Sequence, residues 1–314
     1  MNLNDKIFVT GHRGMVGSAL RRALQARGHQ NLLLAAKGEL DLRDSAATRA
    51  YFAKHKPSVV FLAAAKVGGI EANRAQPAEF LYDNLMIQNN VIHSAHEHGA
   101  RELVFLGSSC VYPRECPQPI KEEYLLTGPL EPTNEGYALA KIAGIRLCQY
   151  YAKQHGLRVL AVMPCNLYGP NDSFDLAKCH VLSALVRRFV DAAKANAPQV
   201  TLWGSGVARR EFLHVDDLAR GVLHALEHWQ SPELLNIGSG EDLTIKELAG
   251  KVSAAAGYHG AIAWDTTRPD GMPRKCMDVT HMKAMGFSPT IALDRGIDEM
   301  IGLYRALEAR GDFA

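Results

Sequence analysis

Short apolar runs alternate with longer amphipathic stretches through the first half of the chain. The apolar runs at 7–9, 32–35, 59–65, 103–106 and 159–162 predict strands. The stretches between them predict helices, one from Met15 to a stop at Gly28 and others at 44–54, 78–98 and 137–155. Strands that are apolar throughout are buried on both faces, and helices that alternate with them cover those faces. The pattern therefore predicts an α/β fold with a doubly wound parallel sheet.

Beyond residue 171 the pattern is less regular. We expect helices at 181–195, 245–256 and 294–307, a strand followed by a helix capped near Asp216 within 211–227, and a loop rich in proline, glycine and basic residues at 265–278. No low-complexity linker separates the two parts. We therefore predict a larger domain at 1–170 and a smaller C-terminal lobe at 171–314, with some sheet elements of the lobe returning to the first domain.

Composition narrows the class of protein. Of the 314 residues 47% are apolar, and 35 basic residues stand against 33 acidic ones, a net charge of +2. So small a surplus argues against a basic field for nucleic acid, and no apolar run reaches the length of a membrane-spanning helix. The N-terminus carries no signal-peptide core, and the six cysteines include no C-x-x-C pair. We therefore expect a cytoplasmic protein that holds no metal and binds neither nucleic acid nor membrane.

Three glycines, Gly11, Gly14 and Gly17, lie between the first strand and the first helix. Glycine there permits a tight turn and lets a pyrophosphate approach the free N–H groups of the helix. The spacing is G-x-x-G-x-x-G, and a glycine-rich turn without a ligand is the alternative. An acidic residue would end the second strand in an NAD site, whereas here Lys37 follows that strand and Arg13 lies in the turn. Two cations favour the 2′-phosphate of NADP(H), unless both are simply solvated at the surface.

Tyr137 and Lys141 are four residues apart on a predicted helix and therefore share one face. An ammonium group beside a phenol lowers the pKa of the phenol, so that the tyrosine can donate a proton near neutral pH. Ser108 and Cys110 follow the fourth strand at its carboxyl end, where open parallel sheets bind ligands. The serine can hydrogen-bond a substrate oxygen, whereas a cysteine taken alone is more often a small buried hydrophobe than a base.

The glycine turn, the serine after the fourth strand and the Tyr-x-x-x-Lys pair resemble those of the extended short-chain dehydrogenases/reductases, which have a Rossmann domain. The resemblance covers nearly the whole chain and extends to the branch that acts on GDP-keto-sugars. The stretches that carry it are TGHRGMVGS at 10–18, LAAAKVGGI at 62–70, GSSCVYP at 107–113, NLYGP at 166–170, REFLHVDD at 210–217 and DGMPRK at 270–275. The stretch at 62–70 and the cysteine after the serines are the most selective of these.

The resemblance implies a role for each matching residue. Ser108, Tyr137 and Lys141 match a reductase triad, and Cys110 and His180 match the base and the acid of an epimerisation. The residues that match positions holding the GDP-sugar are Ser108, Arg188, Trp203, Arg210, Asp270 and Lys275. The residues that match the NADP(H) site of the first domain are Gly11, His12, Arg13, Gly14, Met15, Val16, Gly17, Lys37, Leu42, Ala64, Ala65, Leu106, Gly107, Lys141, Pro164, Asn166, Leu167 and His180. The resemblance also implies a homodimer formed through the helices at 78–98 and 137–155.

These matches imply 3,5-epimerisation of GDP-4-keto-6-deoxy-D-mannose and its NADPH-dependent 4-reduction to GDP-L-fucose. The ketone acidifies the hydrogens on carbons three and five, so a thiolate can remove one and an imidazole can return one. Sister dehydratases carry an acidic pair after the serine or threonine, and the sequence Ser109-Cys110-Val111 contains none. Two alternatives stay open, a related product such as GDP-L-colitose and a non-catalytic sensor that binds NADP(H). A sensor has no physical reason to keep the serine, tyrosine and lysine set.

Overall fold

A computed structural model describes residues 1–176, 179–268 and 270–311. Its central strands are β1 (Ile7–Thr10), β2 (Leu32–Leu33), β3 (Val59–Leu62), β4 (Glu102–Leu106), β5 (Arg158–Pro164) and β9 (Leu235–Ile237). They form one parallel sheet in the order β2-β1-β3-β4-β5-β9. Every residue of β1, β3 and β4 is buried, as expected of strands that are covered on both faces. The predicted α/β class with a parallel sheet is confirmed.

Two of these strands are shorter than the apolar runs that predicted them. β2 covers two residues rather than 32–35, and β3 ends at Leu62 rather than at residue 65. The chain leaves the sheet after Leu62, since the N–H of Ala64 donates to the Thr10 hydroxyl at 3.0 Å instead of to a neighbouring strand. The alanines at 63–65 therefore form a loop at the carboxyl edge of the sheet, beside the glycine turn.

Helices lie on both sides of this sheet. They are α1 (Met15–Ala26), α2 (Ser45–His55), α3 (Ile70–Ala75), α4 (Pro77–Glu97), α5 (Glu135–His155), α7 (Val215–His228) and α9 (Thr280–Ala284). α1 packs against α7, whereas α2 and α5 each pack against α4. The short α3 was not predicted, because six residues are too few to show a helical period. Within the described ranges no helix is both long and apolar enough to cross a bilayer.

A second hydrophobic core lies in the C-terminal part of the chain. Its helices are α6 (Val181–Lys194), α8 (Ile245–Ala256) and α10 (Leu293–Arg310), which pack on one another. The strands β6 (Asn166–Tyr168), β8 (Arg209–His214), β10 (Asp242–Thr244) and β12 (Arg274–Lys275) form a mixed sheet, and β7 (Gln199–Trp203) pairs with β11 (Ala261–Asp265). The first core also contains residues of 213–237 and 277–287, and the domain boundary at 170 stays a prediction.

One local expectation for this part of the chain is wrong. The segment 265–278 was expected to be a loop, but it contains β12, where Lys275 pairs with Arg210 of β8. Two paired residues leave no periodic pattern in a sequence, and their partner is distant along the chain. The expected cap near Asp216 is His214, whose Nδ1 atom accepts from the Asp216 N–H at 3.2 Å.

Gly144 allows α5 to pack closely on β4, and this contact can be tested. A side-chain carbon on Gly144 would collide with the ring of Phe105 and lie 2.7 Å from the Gln88 Oε1 atom. Gln88 cannot withdraw freely, because its amide donates to the Ala140 carbonyl at 2.6 Å. We expect Gly144→Ala to lower the free energy of unfolding by about 1–3 kcal/mol in denaturant titrations.

The matched control is Gly302→Ala in α10, where a side-chain carbon would have no neighbour within 4 Å. Alanine has the higher helix propensity, so this variant should gain about 0.5–1 kcal/mol of unfolding free energy. Stabilisation by both substitutions alike would contradict the close contact at Gly144.

Candidate active site

The glycine turn joins the carboxyl end of β1 to the start of α1. Gly11 has a φ of +66°, in the left-handed region that favours glycine. A side-chain carbon on Gly11 would lie 2.9 Å from the backbone of Ala64, and one on Gly17 would lie 2.9 Å from the His12 Cα atom. α1 begins after Gly14 without a side-chain cap, so the first N–H groups of this helix are available to a phosphate. The turn therefore fits the pyrophosphate of a dinucleotide.

The two cations predicted to meet a 2′-phosphate, Arg13 and Lys37, are both exposed. Lys37 lies near Asp41, whose pKa is lowered to about 2, chiefly by hydrogen bonds from Arg43 and also by the charge of Lys37. Arg43 also contacts Asp83 of α4 at 3.2 Å. Sequence reasoning missed this network of two carboxylates and an arginine, because Asp83 is 40 residues from Arg43 along the chain.

The other predicted cofactor residues follow the same edge of the sheet. Leu106 and Pro164 end β4 and β5, and Gly107 follows β4. Asn166 and Leu167 belong to β6, which begins two residues after β5 ends. The residues in loops or at the start of α1 are His12, Met15, Val16, Leu42, Ala64 and Ala65. His12 and Leu42 are buried. Burial lowers the pKa of His12, and the charges of two neighbouring arginines lower it further, so this imidazole is held neutral.

Ser108 and Cys110 lie directly beyond the carboxyl end of β4. Ser108 caps a short helical turn at Ser109–Val111, where its hydroxyl oxygen accepts from the Cys110 N–H at 3.4 Å. The Cys110 side chain is buried. Burial raises the pKa of the Cys110 thiol, whereas the charges of Lys275 and Lys141 and the contact with Ser108 work in the opposite direction. The thiol thus lies near two ammonium groups that favour its thiolate.

Tyr137 and Lys141 lie on the first turns of α5 and face the end of β4. The Lys141 ammonium donates to the Leu106 carbonyl at 2.7 Å, and it lies 4.9 Å from the ring centre of Phe105 and 5.7 Å from that of Tyr137. Burial lowers the pKa of Lys141 to about 8. Burial also raises the pKa of Tyr137, and the nearby Cys110 raises it further.

The expectation of a lowered Tyr137 pKa is therefore wrong, because burial removes water from the phenol and the nearby Cys110 acts in the same direction. The phenol is instead held in its protonated form. The Tyr137 ring also meets the ring of Phe80 edge to face, with centroids 6.4 Å apart. The Lys66 ammonium lies 5.3 Å from that same Phe80 ring. Lys66 belongs to the selective stretch at 62–70. That stretch was the one feature of the sequence that could have indicated the contact between Lys66 and Phe80.

Five predicted substrate residues lie in the C-terminal part. Lys275 pairs with Arg210 across β12 and β8, and Lys275 is near enough to Cys110 to influence its ionisation. Asp270 accepts hydrogen bonds from Ser205, at 2.6 Å from its N–H and 2.8 Å from its hydroxyl. Trp203 is 56% exposed. The fifth, Arg188, is a half-buried residue of α6.

The remaining predicted catalytic residue, His180, lies at the N-terminus of α6 and is exposed. Its carbonyl accepts from the Ala184 N–H at 2.9 Å. Asp172, which sequence reasoning did not select, accepts from the Ser183 hydroxyl in the first turn of this helix. Burial raises the pKa of Asp172, and the charge of His180 opposes that shift. The position of His180 opposite Cys110 stays a prediction.

Comparison with known proteins places this arrangement in a family. Residues 7–238 match the NAD dependent epimerase/dehydratase family. A putative GDP-L-fucose synthase 2 of Arabidopsis thaliana is 53% identical over 95% of this chain and 91% of its own. The GDP-L-fucose synthase of Escherichia coli (strain K12) is 50% identical over 93% of this chain and 94% of its own. A GDP-L-colitose synthase of Yersinia pseudotuberculosis is 37% identical over 94% of this chain and 96% of its own.

Solved structures agree with these relatives. A GDP-6-OMe-4-keto-L-xylo-heptose reductase from C. jejuni superposes with a TM-score of 0.92 at 36% identity, over 98% of this chain and 99% of that one. A GDP-L-fucose synthetase from Naegleria fowleri bound to NADP superposes with a TM-score of 0.89 at 26% identity. The match covers 98% of this chain and 96% of that one. The chain therefore belongs to the NAD dependent epimerase/dehydratase family, and within that family it is similar to the GDP-L-fucose synthases.

Proposed function

We propose that this protein converts GDP-4-keto-6-deoxy-D-mannose to GDP-L-fucose by 3,5-epimerisation and NADPH-dependent 4-reduction. The observation that carries the proposal is the convergence of Ser108, Cys110, Tyr137 and Lys141 at the end of one buried strand. Relatives of 50–53% identity that are GDP-L-fucose synthases support it. The direct test is incubation with the keto-sugar nucleotide and NADPH, with the product identified by NMR.

NADP(H) is the cofactor that the first domain fits. The tight turn from Gly11 to Gly17 and the uncapped start of α1 would hold its pyrophosphate. Arg13 and Lys37 would meet its 2′-phosphate. When bound, NADPH supplies the hydride that the reduction needs.

Epimerisation would use Cys110 as base and His180 as acid. The ketone at carbon four stabilises the enolate that forms when Cys110 removes a proton from carbon three or five. Lys275 and Lys141 favour the Cys110 thiolate by their charge, which partly offsets the effect of burial. His180 would return a proton to the opposite face of the sugar, which inverts the carbon.

Reduction would use Tyr137 as proton donor to the oxygen on carbon four. Because burial raises the pKa of Tyr137, the phenol carries its proton when the ketone arrives. The hydroxyl of Ser108 would donate a hydrogen bond to the same oxygen, and the Lys141 ammonium would stabilise the tyrosinate that forms.

The C-terminal lobe would hold the GDP portion of the substrate. Arg188, Arg210 and Lys275 offer positive charge for the diphosphate, and Lys275 links that charge to the reaction centre through its proximity to Cys110. Trp203 offers an exposed ring face, with the Arg268 guanidinium 5.0 Å from its centre. Asp270 would complete the site from the loop before β12.

We also propose a cytoplasmic homodimer. All six cysteines are free thiols, which suits a reducing compartment. α4 and α5 pack side by side and expose large apolar side chains, with Tyr82 63%, Leu139 43% and Tyr150 61% exposed. A second copy that covered this helix pair would remove those side chains from water.

The second candidate is the synthesis of a related sugar such as GDP-L-colitose, which the 37% identical colitose synthase favours. The same catalytic residues serve both reactions, so only the substrate separates them.

Lys37→Ala should raise the KM for NADPH about tenfold and leave that for NADH nearly unchanged, because only NADPH carries the 2′-phosphate. Steady-state kinetics with both cofactors measure the effect. The matched control is Lys54→Ala, which removes an exposed lysine of α2 that has no predicted role in cofactor binding. Equal use of NADH and NADPH by the wild-type enzyme would contradict the role of Lys37.

Tyr137→Phe should slow hydride transfer by about two to four orders of magnitude, because it removes the proton donor and keeps the ring against Phe80. Deuterium from heavy water should still enter carbons three and five of the keto-sugar. Tyr150→Phe on the same helix, where the ring is exposed, should leave both steps intact. Loss of both activities in Tyr137→Phe would mean that the residue serves binding or folding instead.

Cys110→Ser should nearly abolish deuterium exchange in the absence of NADPH, because a serine hydroxyl ionises at far higher pH than a thiol. Burial raises the pKa of Cys110, so the thiolate fraction and the wild-type exchange rate should both rise with pH across the neutral range. Cys116→Ser, at a half-buried cysteine, is the control. Undiminished exchange in Cys110→Ser would overturn its assignment as base.

A further inference from the structure

An exposed tryptophan ring and an arginine without an assigned role lie together at one end of the sheet formed by β7 and β11. Trp203 is the last residue of β7 and pairs with Asp265, the last residue of β11. Alternate residues of β7 are exposed, so the indole lies on the solvent face of this sheet and is 56% exposed. A ring of this size in water offers a flat apolar surface to a ligand.

A turn after β11 brings Arg268 over this ring. The N–H of Arg268 donates to the Asp265 carbonyl at 3.2 Å, and the side chains of the same two residues form an ion pair at 3.9 Å. The guanidinium carbon lies 5.0 Å from the centre of the Trp203 ring. The Arg268 side chain is nevertheless 57% exposed, so a ligand that reaches the indole also reaches the guanidinium group.

A series of contacts connects this ring to the reaction centre. Lys275, which lies near the reaction centre, pairs with Arg210 across β12 and β8. The charge of Arg210 in turn acts on Asp270. Asp270 accepts from the N–H of Ser205 at 2.6 Å, and Ser205 is two residues beyond Trp203. A nucleotide sugar with its sugar at the reaction centre and its diphosphate at Lys275 and Arg210 would therefore extend its base toward the indole.

The proposed substrate ends in guanine, and the inference rests on that proposed function. Guanine carries two neighbouring hydrogen-bond acceptors on one edge, the O6 and N7 atoms. A guanidinium group presents paired N–H donors in one plane and can bind both acceptors together. Adenine carries an amino group where guanine has O6, so the same arginine would face a donor there. An arginine at the edge of a stacked base therefore distinguishes guanine from adenine.

We propose that Trp203 and Arg268 form the base subsite, in which the indole stacks on guanine and Arg268 donates to its O6 and N7 atoms. A base that stacks on the face covered by the guanidinium takes its place there, and the guanidinium then lies at the edge of the base. The ion pair with Asp265 keeps the arginine near the ring. Arg268 is thus a specificity-determining residue for the nucleotide.

The test measures the affinities of the enzyme for GDP, inosine diphosphate (IDP) and ADP by calorimetry, with saturating NADPH to keep ADP out of the cofactor site. GDP and IDP both carry O6 and N7, ADP lacks O6, and all three carry the same diphosphate. The wild-type enzyme should bind GDP about tenfold or more tightly than ADP. Arg268→Ala should weaken the binding of GDP and IDP about tenfold and leave that of ADP nearly unchanged. The control is Arg295→Ala, at an exposed arginine of α10, which should change none of the three affinities.

The three nucleotides separate a base contact from a contact with the diphosphate. Equal weakening of all three in Arg268→Ala would place the guanidinium on the diphosphate and overturn the base contact. Three unchanged affinities would overturn it as well. In both cases a wild-type preference for GDP would leave the proposed function standing. A wild-type enzyme that binds ADP as tightly as GDP would contradict the proposed GDP-sugar substrate and the base subsite together.

Discussion

A single hydrogen bond ties the two halves of the reaction centre together. The Lys141 ammonium, on α5, donates to the carbonyl of Leu106 at the end of β4, at 2.7 Å. Through this bond the helix that carries Tyr137 is held against the strand that leads to Ser108 and Cys110. The absence of a side chain at Gly144 lets α5 approach closely enough to make it. Placing a lysine here requires burial, and burial in turn lowers the pKa of Lys141 to about 8.

In the C-terminal part of the chain, a buried carboxyl group holds separate segments together. Glu211 is fully buried and accepts from the N–H groups of Gly240 and Met277, at 2.7 and 2.8 Å. These bonds fix the chain immediately after β12, so that Lys275 stays beside Cys110. Burial raises the pKa of Glu211, and the backbone hydrogen bonds from Gly240, Met277 and Ser239 work against that shift. Each of these two buried groups thus fixes its own part of the chain, Lys141 at the end of β4 and Glu211 at the residues that follow β12.

The sequence predicted the parallel sheet, the long helices and the position of Ser108 and Cys110, because apolar runs and the ends of strands are local features. It did not predict β12, since the pairing of Lys275 with Arg210 is two residues long and distant in the chain. It also misjudged Tyr137, because the effect of burial on a pKa depends on side chains that only the fold brings together.

The central claim is that one site performs both epimerisation and reduction. Epimerisation at the same site would separate this protein from a simple C4 reductase. The most direct measurement is the NMR spectrum of the product formed from GDP-4-keto-6-deoxy-D-mannose and NADPH in heavy water. We expect GDP-L-fucose with deuterium at carbons three and five and protium at carbon four. A reduced sugar that keeps protium at carbons three and five would contradict the claim.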